Sequence, residues 1–232
     1  MTTSVIVPWR PDAAGERQPL WDWCRDRWEA EKLVDEIIEC DSEQHPFTRG
    51  TSINLGVEQA KGDVIVIADA DSFVGDVRAA IGMVQMGVPW VVNYGMHRYF
   101  RVDPATTEDY LSGSLSTRLD PFQYLERVAV AYSGCVVMLR SSFERAGGFD
   151  ERFRGWGEED VAFMEAMRVF VGDFARSNTF CVQLYHTHIE ADRYQHPLYP
   201  ANRDLGNRYA AARGDRESML ALIGEWNPRV LA

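Results

Sequence analysis

The sequence predicts an α/β fold built on a mostly parallel sheet. Short β-branched apolar segments at 4–8, 36–40 and 64–68 alternate with helical stretches at about 20–33 and 51–60. Strands that alternate with helices form parallel sheets whose faces are covered by those helices. The segment at 64–68 is apolar at every position, which indicates a strand buried on both sides.

The rest of the chain continues the pattern less regularly. We expect strands at 90–94, 135–139 and 180–185, and helices at 158–171 and 202–224. The intervening stretch 97–130 is polar and interrupted by Pro104, Gly113 and Pro121, so we expect it to be irregular. A segment of that length either closes over a site, with Gly113 as a hinge, or only covers the edge of the sheet.

Composition excludes several classes of protein. The 232 residues carry a formal net charge of −11, which disfavours nucleic-acid binding through the bulk field but leaves a local basic groove open. Four scattered cysteines without a C-x-x-C pair indicate neither a disulfide framework nor a zinc ribbon. No apolar run reaches the ~20 residues of a membrane helix, and the N-terminus does not resemble a signal peptide. We therefore expect a cytoplasmic protein with no membrane span.

Two carboxylates, Asp69 and Asp71, directly follow the buried strand. Ligands of parallel sheets bind at the carboxyl ends of the strands, so chemistry is expected at this position. Carboxylates spaced i, i+2 can both reach one hard cation, and Mg²⁺ or Mn²⁺ prefers such oxygen ligands. The alternative is a polar turn that caps a helix starting near Asp76.

A second cluster combines glycines, an aromatic residue and acids. Gly155, Trp156 and Gly157 predict a tight turn that presents an aromatic face, and three acids follow at 158–160. Acids at a helix N-terminus can simply complement the helix dipole. That alternative accounts for the acids but not for the glycines that flank the tryptophan.

The segment 147–160 resembles the G-W-G-x-E-D motif of the metal-dependent galactosyltransferases, a family with a GT-A fold and a nucleotide-sugar donor. It is less closely similar to the W-G-x-E segment of the polypeptide N-acetylgalactosaminyltransferases. Other stretches resemble the family in the same order, and they are 7–10, 47–50, 54–56 and 133–137. The likeness spans about 4–190 and implies a GT-A glycosyltransferase.

The resemblance implies a metal site for Mn²⁺ or Mg²⁺. Asp71 would be an inner ligand, and Asp69 would touch the metal or the ribose of the donor. The family supplies a histidine after the G-W-G helix. The spacing from Cys181 to His186 resembles that of the polypeptide N-acetylgalactosaminyltransferases, and this resemblance favours His186. Residues i and i+2 of a strand share a face, so His188 could substitute for it.

The resemblance also implies donor contacts. Asp41 follows the second strand, where the family reads the nucleobase, and a carboxylate there can accept the N–H of uracil. A UDP-sugar is therefore the leading donor. Pro8, Arg10 and Arg49 would line the base and the diphosphate.

On the acceptor side, Asp160 matches the base of the inverting galactosyltransferases and Glu159 matches their acceptor-binding acid. Trp156 would stack on the acceptor. The sequence departs from the family at Glu158, where glycine is usual, and at Val161, where an acid is common. Those departures leave the identity of the acceptor open.

The predicted function is thus metal-dependent transfer of a sugar to a hydroxyl of a glycan, lipid, protein or modified nucleobase. We expect inversion at the transferred sugar, and retention is the alternative because the retaining relatives share much of the same frame. We expect one domain over 1–232, with a nucleotide-sugar half at 1–95, an acceptor and metal half at 96–190 and a helical extension at 191–232. The alternative is a catalytically weak protein of the same fold that binds a sugar nucleotide or a glycan. A sugar-nucleotide pyrophosphorylase would need a glycine-rich basic loop after the first strand, and residues 8–11 do not provide one.

Overall fold

The computed structural model describes residues 1–32, 34–123, 125, 133–187 and 197–231. The strands are β1 (Thr3–Pro8), β2 (Glu36–Cys40), β3 (Val64–Ala68), β4 (Ser72–Val74), β5 (Trp90–Val92), β6 (Tyr99–Arg101), β7 (Cys135–Leu139), β8 (Ala175–Arg176) and β9 (Cys181–Gln183). The helices are α1 (Gln18–Ala30), α2 (Arg49–Gln59), α3 (Arg78–Gln85), α4 (Pro104–Leu111), α5 (Arg140–Arg145), α6 (Glu159–Phe170), α7 (Tyr199–Ala211) and α8 (Arg216–Gly224). None of these described helices is both long enough and apolar enough to cross a membrane.

The central sheet has six strands in the order β2-β1-β3-β7-β5-β8. β1 runs parallel to β2 and β3, and β5 runs parallel to β8. β7 is antiparallel to both of its neighbours, β3 and β5. The mostly parallel α/β sheet predicted from the sequence is therefore confirmed, with β7 as the strand that runs against the others.

Alternate residues of the central strands enter two cores on opposite faces of the sheet, as the period of a β-strand requires. Val5 and Val66 point to one face, where they join the buried side chains of α1 and α3. Ile6 and Ile65 point to the other face, where they pack with residues of α2 and α6. All five residues of β3 are buried, as expected for a strand covered on both sides.

A second sheet, in the order β4-β9-β6, extends from the carboxyl end of β3. β4 begins at Ser72, directly after the two carboxylates, and pairs antiparallel with β9 so that Ser72 faces Gln183. β6 pairs parallel with β9 on the other side. This sheet brings the chain around 181–187 back to the end of β3.

The structure corrects the expectation that 97–130 is irregular. β6 and α4 lie within this stretch, followed by a short 3-10 helix at Pro121–Gln123. Asp103 caps α4 by accepting the N–H of Thr106 at 2.7 Å, and Pro104 occupies the first turn. β6 has only three residues and depends on pairing with β9, which local sequence does not reveal. Closure of the segment over a site stays a prediction, and residues 124 and 126–130 lie outside the described part.

The C-terminal helices pack against α6 around a third core, which includes Phe153, Tyr209 and Met219. The predicted helix at 202–224 is in fact two helices. Gly214 breaks it with a φ of +75°, and Asp215 caps α8 by accepting the N–H groups of Glu217 and Ser218. These helices matter for the site because they pack against α6, whose first residues are candidate site residues.

Candidate active site

The two carboxylates after β3 lie in a turn between the two sheets. The N–H of Asp69 donates to the carbonyl of Gly134 at 3.0 Å, which ties the turn to the start of β7. Asp71 is buried, with 4% of its surface exposed, whereas the Asp69 side chain is partly exposed. A buried carboxylate costs free energy unless it is paired, so its partners indicate what it does.

His186 is the first of those partners. The pairing of β4 with β9 continues past the strands, since the N–H of Leu184 donates to the carbonyl of Asp71 at 2.8 Å. The chain then turns the imidazole inward, and Nε2 of His186 lies 2.8 Å from Oδ2 of Asp71. The sequence predicted that these two residues share a site, and the structure places them in contact. His188, the alternative ligand, lies outside the described residues.

Two further partners of Asp71 were not predicted. The Arg17 guanidinium lies 3.7 Å from Oδ2 of Asp71 and above the ring of Trp9. The side-chain amide of Gln183 donates to the same oxygen at 3.5 Å, while its own oxygen accepts from the hydroxyl of Tyr99. Arg17 stands at the start of α1 in a loop without a motif, so only the fold could identify it.

These partners keep Asp71 ionised. Burial alone would raise the pKa of Asp71, but the hydrogen bond from His186 and the charge of Arg17 outweigh it and bring the pKa to about 2. The carboxylate is therefore available as a ligand at neutral pH.

The residues at this turn fit a divalent cation that shares its coordination with another ligand. Nε2 of His186 and Oδ2 of Asp71 share a hydrogen bond, and a divalent cation such as Mn²⁺ or Mg²⁺ that took the place of the proton between them would have a carboxylate oxygen and an imidazole nitrogen as ligands. In the described part of the chain, no three His, Cys, Asp or Glu side chains gather closely enough to hold a metal.

Arg49 links this turn to the start of α6. Its Nε and Nη2 donate to Oδ1 of Asp69 at 3.0 and 2.7 Å, and its Nη1 donates to Oδ1 of Asp160 at 2.6 Å. The arginine was predicted as a donor contact. In the structure Arg49 bridges Asp69, which follows β3, and Asp160, which lies at the start of α6. Asp160 is 111 residues away from Arg49 in the sequence.

The head of α6 carries two acids in different environments. Asp160 is partly exposed, and in the described structure its Oδ2 accepts no hydrogen bond. Glu159 has 9% of its surface exposed and accepts the N–H of Gly157 at 3.2 Å. Burial, and then the charge of Asp160, raise the pKa of Glu159 to about 7, although Arg49 opposes the shift.

Trp156 lies beside these acids on a loop with unusual backbone. Gly155, Gly157 and Glu158 all have positive φ, at 69°, 110° and 72°. The Trp156 ring is 44% exposed and stacks on Tyr199 of α7, with centroids 5.7 Å apart. A large aromatic surface is therefore presented to solvent on the loop that leads directly into Glu159 and Asp160.

The predicted nucleobase residues form a separate pair after β1 and β2. Arg10 donates from Nε to Asp41 at 2.8 Å and from Nη1 to the carbonyl of Gln44, and it lies over the ring of Phe47. The hydrogen bond from Arg10 lowers the pKa of Asp41. Pro8 is buried at the end of β1, next to this pair. The side-chain partner of Arg10 is thus Asp41, and not Asp69 or Asp71.

Asn54 connects the segment 47–56 to the segment 147–151 through hydrogen bonds. Its side chain donates to the carbonyl of Phe149 and accepts the Phe149 N–H, both at 2.9 Å. Gly148, with a φ of +78°, lies so close that an added Cβ would be 2.8 Å from Oδ1 of Asn54. In the sequence Asn54 is notable only as part of the stretch 54–56 that resembles the family. In the structure its side chain joins α2 to the segment before α6.

The chain resembles known proteins both in sequence and in fold. Residues 113–195 match the sequence family described as the N-terminal domain of galactosyltransferase. No curated protein sequence matches the chain.

Solved structures show the fold. A mannosyltransferase from Pyrobaculum calidifontis, solved with GDP-Man and Mn²⁺, is 14% identical over 99% of this chain and 71% of its own, with a TM-score of 0.55. TarS of S. aureus is 11% identical over 97% of this chain and 70% of its own, with a TM-score of 0.54. The fold is the GT-A fold of these proteins, and the family match supports a glycosyltransferase.

A third structure is similar over less of its length. The Drosophila β1,4-galactosyltransferase 7 is 16% identical over 75% of this chain, with a TM-score of 0.49. The present chain spans 64% of that protein. A TM-score that low adds nothing to the assignment of the fold.

Proposed function

We propose that this protein is a metal-dependent glycosyltransferase that moves a sugar from a nucleoside-diphosphate sugar to an acceptor hydroxyl. The observation that carries the proposal is the contact of Asp71 with His186, 2.8 Å apart at the carboxyl end of β3. The match to a galactosyltransferase family supports it. So do two proteins with this fold, a mannosyltransferase solved with GDP-Man and Mn²⁺ and TarS solved with UDP.

On the donor side, Asp71 and His186 would hold Mn²⁺ or Mg²⁺, and Asp69 would contact the metal or the donor ribose. Bound there, the cation would neutralise the charge that develops on the leaving diphosphate. Arg17 would assist from the protein, because its partly exposed guanidinium lies 3.7 Å from Oδ2 of Asp71. A guanidinium beside a diphosphate site is suited to donate to phosphate oxygens.

The pair formed by Arg10 and Asp41 would bind the nucleobase. The pKa of Asp41 is lowered by its hydrogen bond from Arg10, so it is an acceptor at neutral pH. Oδ1 of Asp41 accepts from Arg10 and from the N–H of Glu43, whereas among the described residues Oδ2 accepts only from Nε of Arg10, which leaves a lone pair on Oδ2 for the N–H of a base. Phe47 and Pro8 lie next to the pair, and the N–H of uracil is a donor that this carboxylate can accept. We therefore propose a UDP-sugar as the donor.

On the acceptor side, Asp160 would be the general base. Its Oδ1 is held by Arg49, and its Oδ2 would take the proton from the acceptor hydroxyl. The acceptor oxygen would then form a bond to the anomeric carbon from the face opposite the diphosphate, whose bond breaks, so the configuration inverts. Trp156 would stack on the acceptor and Glu159 would bind one of its hydroxyls.

A second candidate is a protein of the same fold that binds a sugar nucleotide or a glycan with little turnover. The ion pair between Arg49 and Asp160 favours it, because the guanidinium occupies one oxygen of the carboxylate that would act as the base. Donor turnover separates the two candidates.

The proposal can be tested by thermal unfolding with a panel of UDP- and GDP-sugars, with and without Mn²⁺. A donor should stabilise the protein only together with the metal, and Asp71→Asn should abolish that stabilisation. His186→Ala should weaken it, and His188→Ala should weaken it less. Asp26→Asn, an exposed acid on α1, is the matched control and should behave as the wild type.

Release of nucleoside diphosphate is then measured with the donor that stabilises most. Metal-dependent release that rises with a hydroxyl-bearing acceptor supports the transferase. Stabilisation without release identifies the binding protein. Equal stabilisation by donor in the absence of Mn²⁺, or full retention in Asp71→Asn, contradicts the metal site.

A further inference from the structure

The loop that carries Trp156 is held by a helix outside the sheet. Its residues Gly155, Gly157 and Glu158 adopt positive φ, which for a residue with a Cβ such as Glu158 is unfavourable. A conformation of this kind persists only where the surroundings enforce it. The contacts that do so come from α7.

Asn202 makes three of them. It is 2% exposed, and its Nδ2 donates to the carbonyls of Arg154 and Trp156, both at 2.9 Å. Its Oδ1 accepts the N–H of Arg154 at 3.2 Å. One buried amide thus binds the backbone on both sides of Gly155 and determines where the Trp156 ring is placed.

Two neighbours on the same face of α7 complete the contact. Tyr199, one turn before Asn202, stacks on Trp156 and donates its hydroxyl to Oε1 of Glu158 at 3.3 Å. Gly206, one turn after it, lies so close that an added Cβ would be 3.0 Å from the Cβ of Glu158. Residues spaced three and four apart share a helix face, so these three residues form one face of α7 that packs against the loop.

We infer that Asn202 and Tyr199 are positioning residues for the acceptor. They fix the position of Trp156 relative to the start of α6. The Tyr199 ring also enlarges the aromatic surface on which a sugar or aryl ring can stack. The inference rests on the proposed function, since it assigns the acceptor to Trp156. It predicts that changes in α7 alter acceptor binding while the donor and metal site stays intact.

The test labels the protein with 5-fluorotryptophan and follows the Trp156 resonance by ¹⁹F NMR, assigned with Trp156→Phe. The probes are p-nitrophenyl glycosides of glucose, galactose, xylose and N-acetylglucosamine. At least one should shift the resonance saturably. Asn202→Ala should move the resonance of the free protein and weaken the apparent affinity by about 10- to 100-fold, the scale of an ångström-sized misplacement. Donor stabilisation with Mn²⁺ should remain at the wild-type value.

Asn227→Ala is the matched control, because Asn227 also donates to a backbone carbonyl, that of Gly147 at 3.0 Å, but away from the loop. It should leave the Trp156 resonance and glycoside affinity unchanged. Tyr199→Leu tests the same idea at a less buried position and should weaken glycoside binding. Tyr199→Phe, which keeps the stack, should restore most of it.

Wild-type affinity in both Asn202→Ala and Tyr199→Leu would overturn the inference, as would parallel loss of donor stabilisation. So would a Trp156 resonance that no glycoside perturbs. Failure of the proposed function looks different, because glycosides would then shift Trp156 while no nucleotide sugar stabilised the protein with Mn²⁺.

Discussion

Glu159 provides a sharp test of the electrostatics at the head of α6. Its pKa is raised from 4.5 to about 7, first by burial and then by the charge of Asp160. Between these two values the folded chain keeps a proton that the unfolded chain has released. Stability must therefore fall as the pH rises from 4.5 to 7, and it must level off above 7.

The size of the effect follows from the shift. One pKa unit corresponds to 1.36 kcal/mol, so the ionised Glu159 costs about 3 kcal/mol of unfolding free energy above pH 7. Glu159→Gln removes the charge and keeps an oxygen that can accept the N–H of Gly157. The variant should gain on the wild type by about 2 kcal/mol as the pH rises from 5 to 7, and by only about 0.3 kcal/mol more at pH 8.

The assay is urea unfolding of both proteins at pH 5, 6, 7 and 8, compared as differences so that other titrations cancel. Glu217→Gln is the control, because Glu217 is an exposed acid in the first turn of α8. Its difference from the wild type should not change with pH. If the difference for Glu159→Gln is equally independent of pH, the raised pKa is refuted.

Four further substitutions test the site and the packing of the helices. Asp160→Asn should leave donor stabilisation unchanged and lower the transfer rate by about 10²–10⁴-fold, measured as diphosphate release with acceptor; a parallel loss of donor binding would make it a donor residue instead. Arg49→Met should destabilise the protein by about 3 kcal/mol in urea, because it leaves two paired carboxylates without their cation. Gly56→Ala should cost about 1–3 kcal/mol, because its Cβ would lie 2.6 Å from Cγ2 of Ile6. Gly82→Ala, a helical glycine with open space around it, should be neutral or stabilising by up to about 1 kcal/mol.

The sequence by itself determined the features that depend on local pattern. The parallel order of β1, β2 and β3 follows from alternation of strands with helices, and β3 is identified by its unbroken apolar run. The position of Asp69 and Asp71 follows from the end of β3. The resemblance to galactosyltransferases supplied His186 as a candidate partner for Asp71.

Only the tertiary structure decided which of these groups meet. Contacts across large separations, such as Arg49 with Asp160, depend on how α2 and α6 pack and leave no local signal. The same holds for β6, whose three residues become a strand only because β9 pairs with them. Arg17 and Asn202 were missed for this reason, since an arginine in a loop and an asparagine in a helix acquire a role only from the groups that folding places beside them.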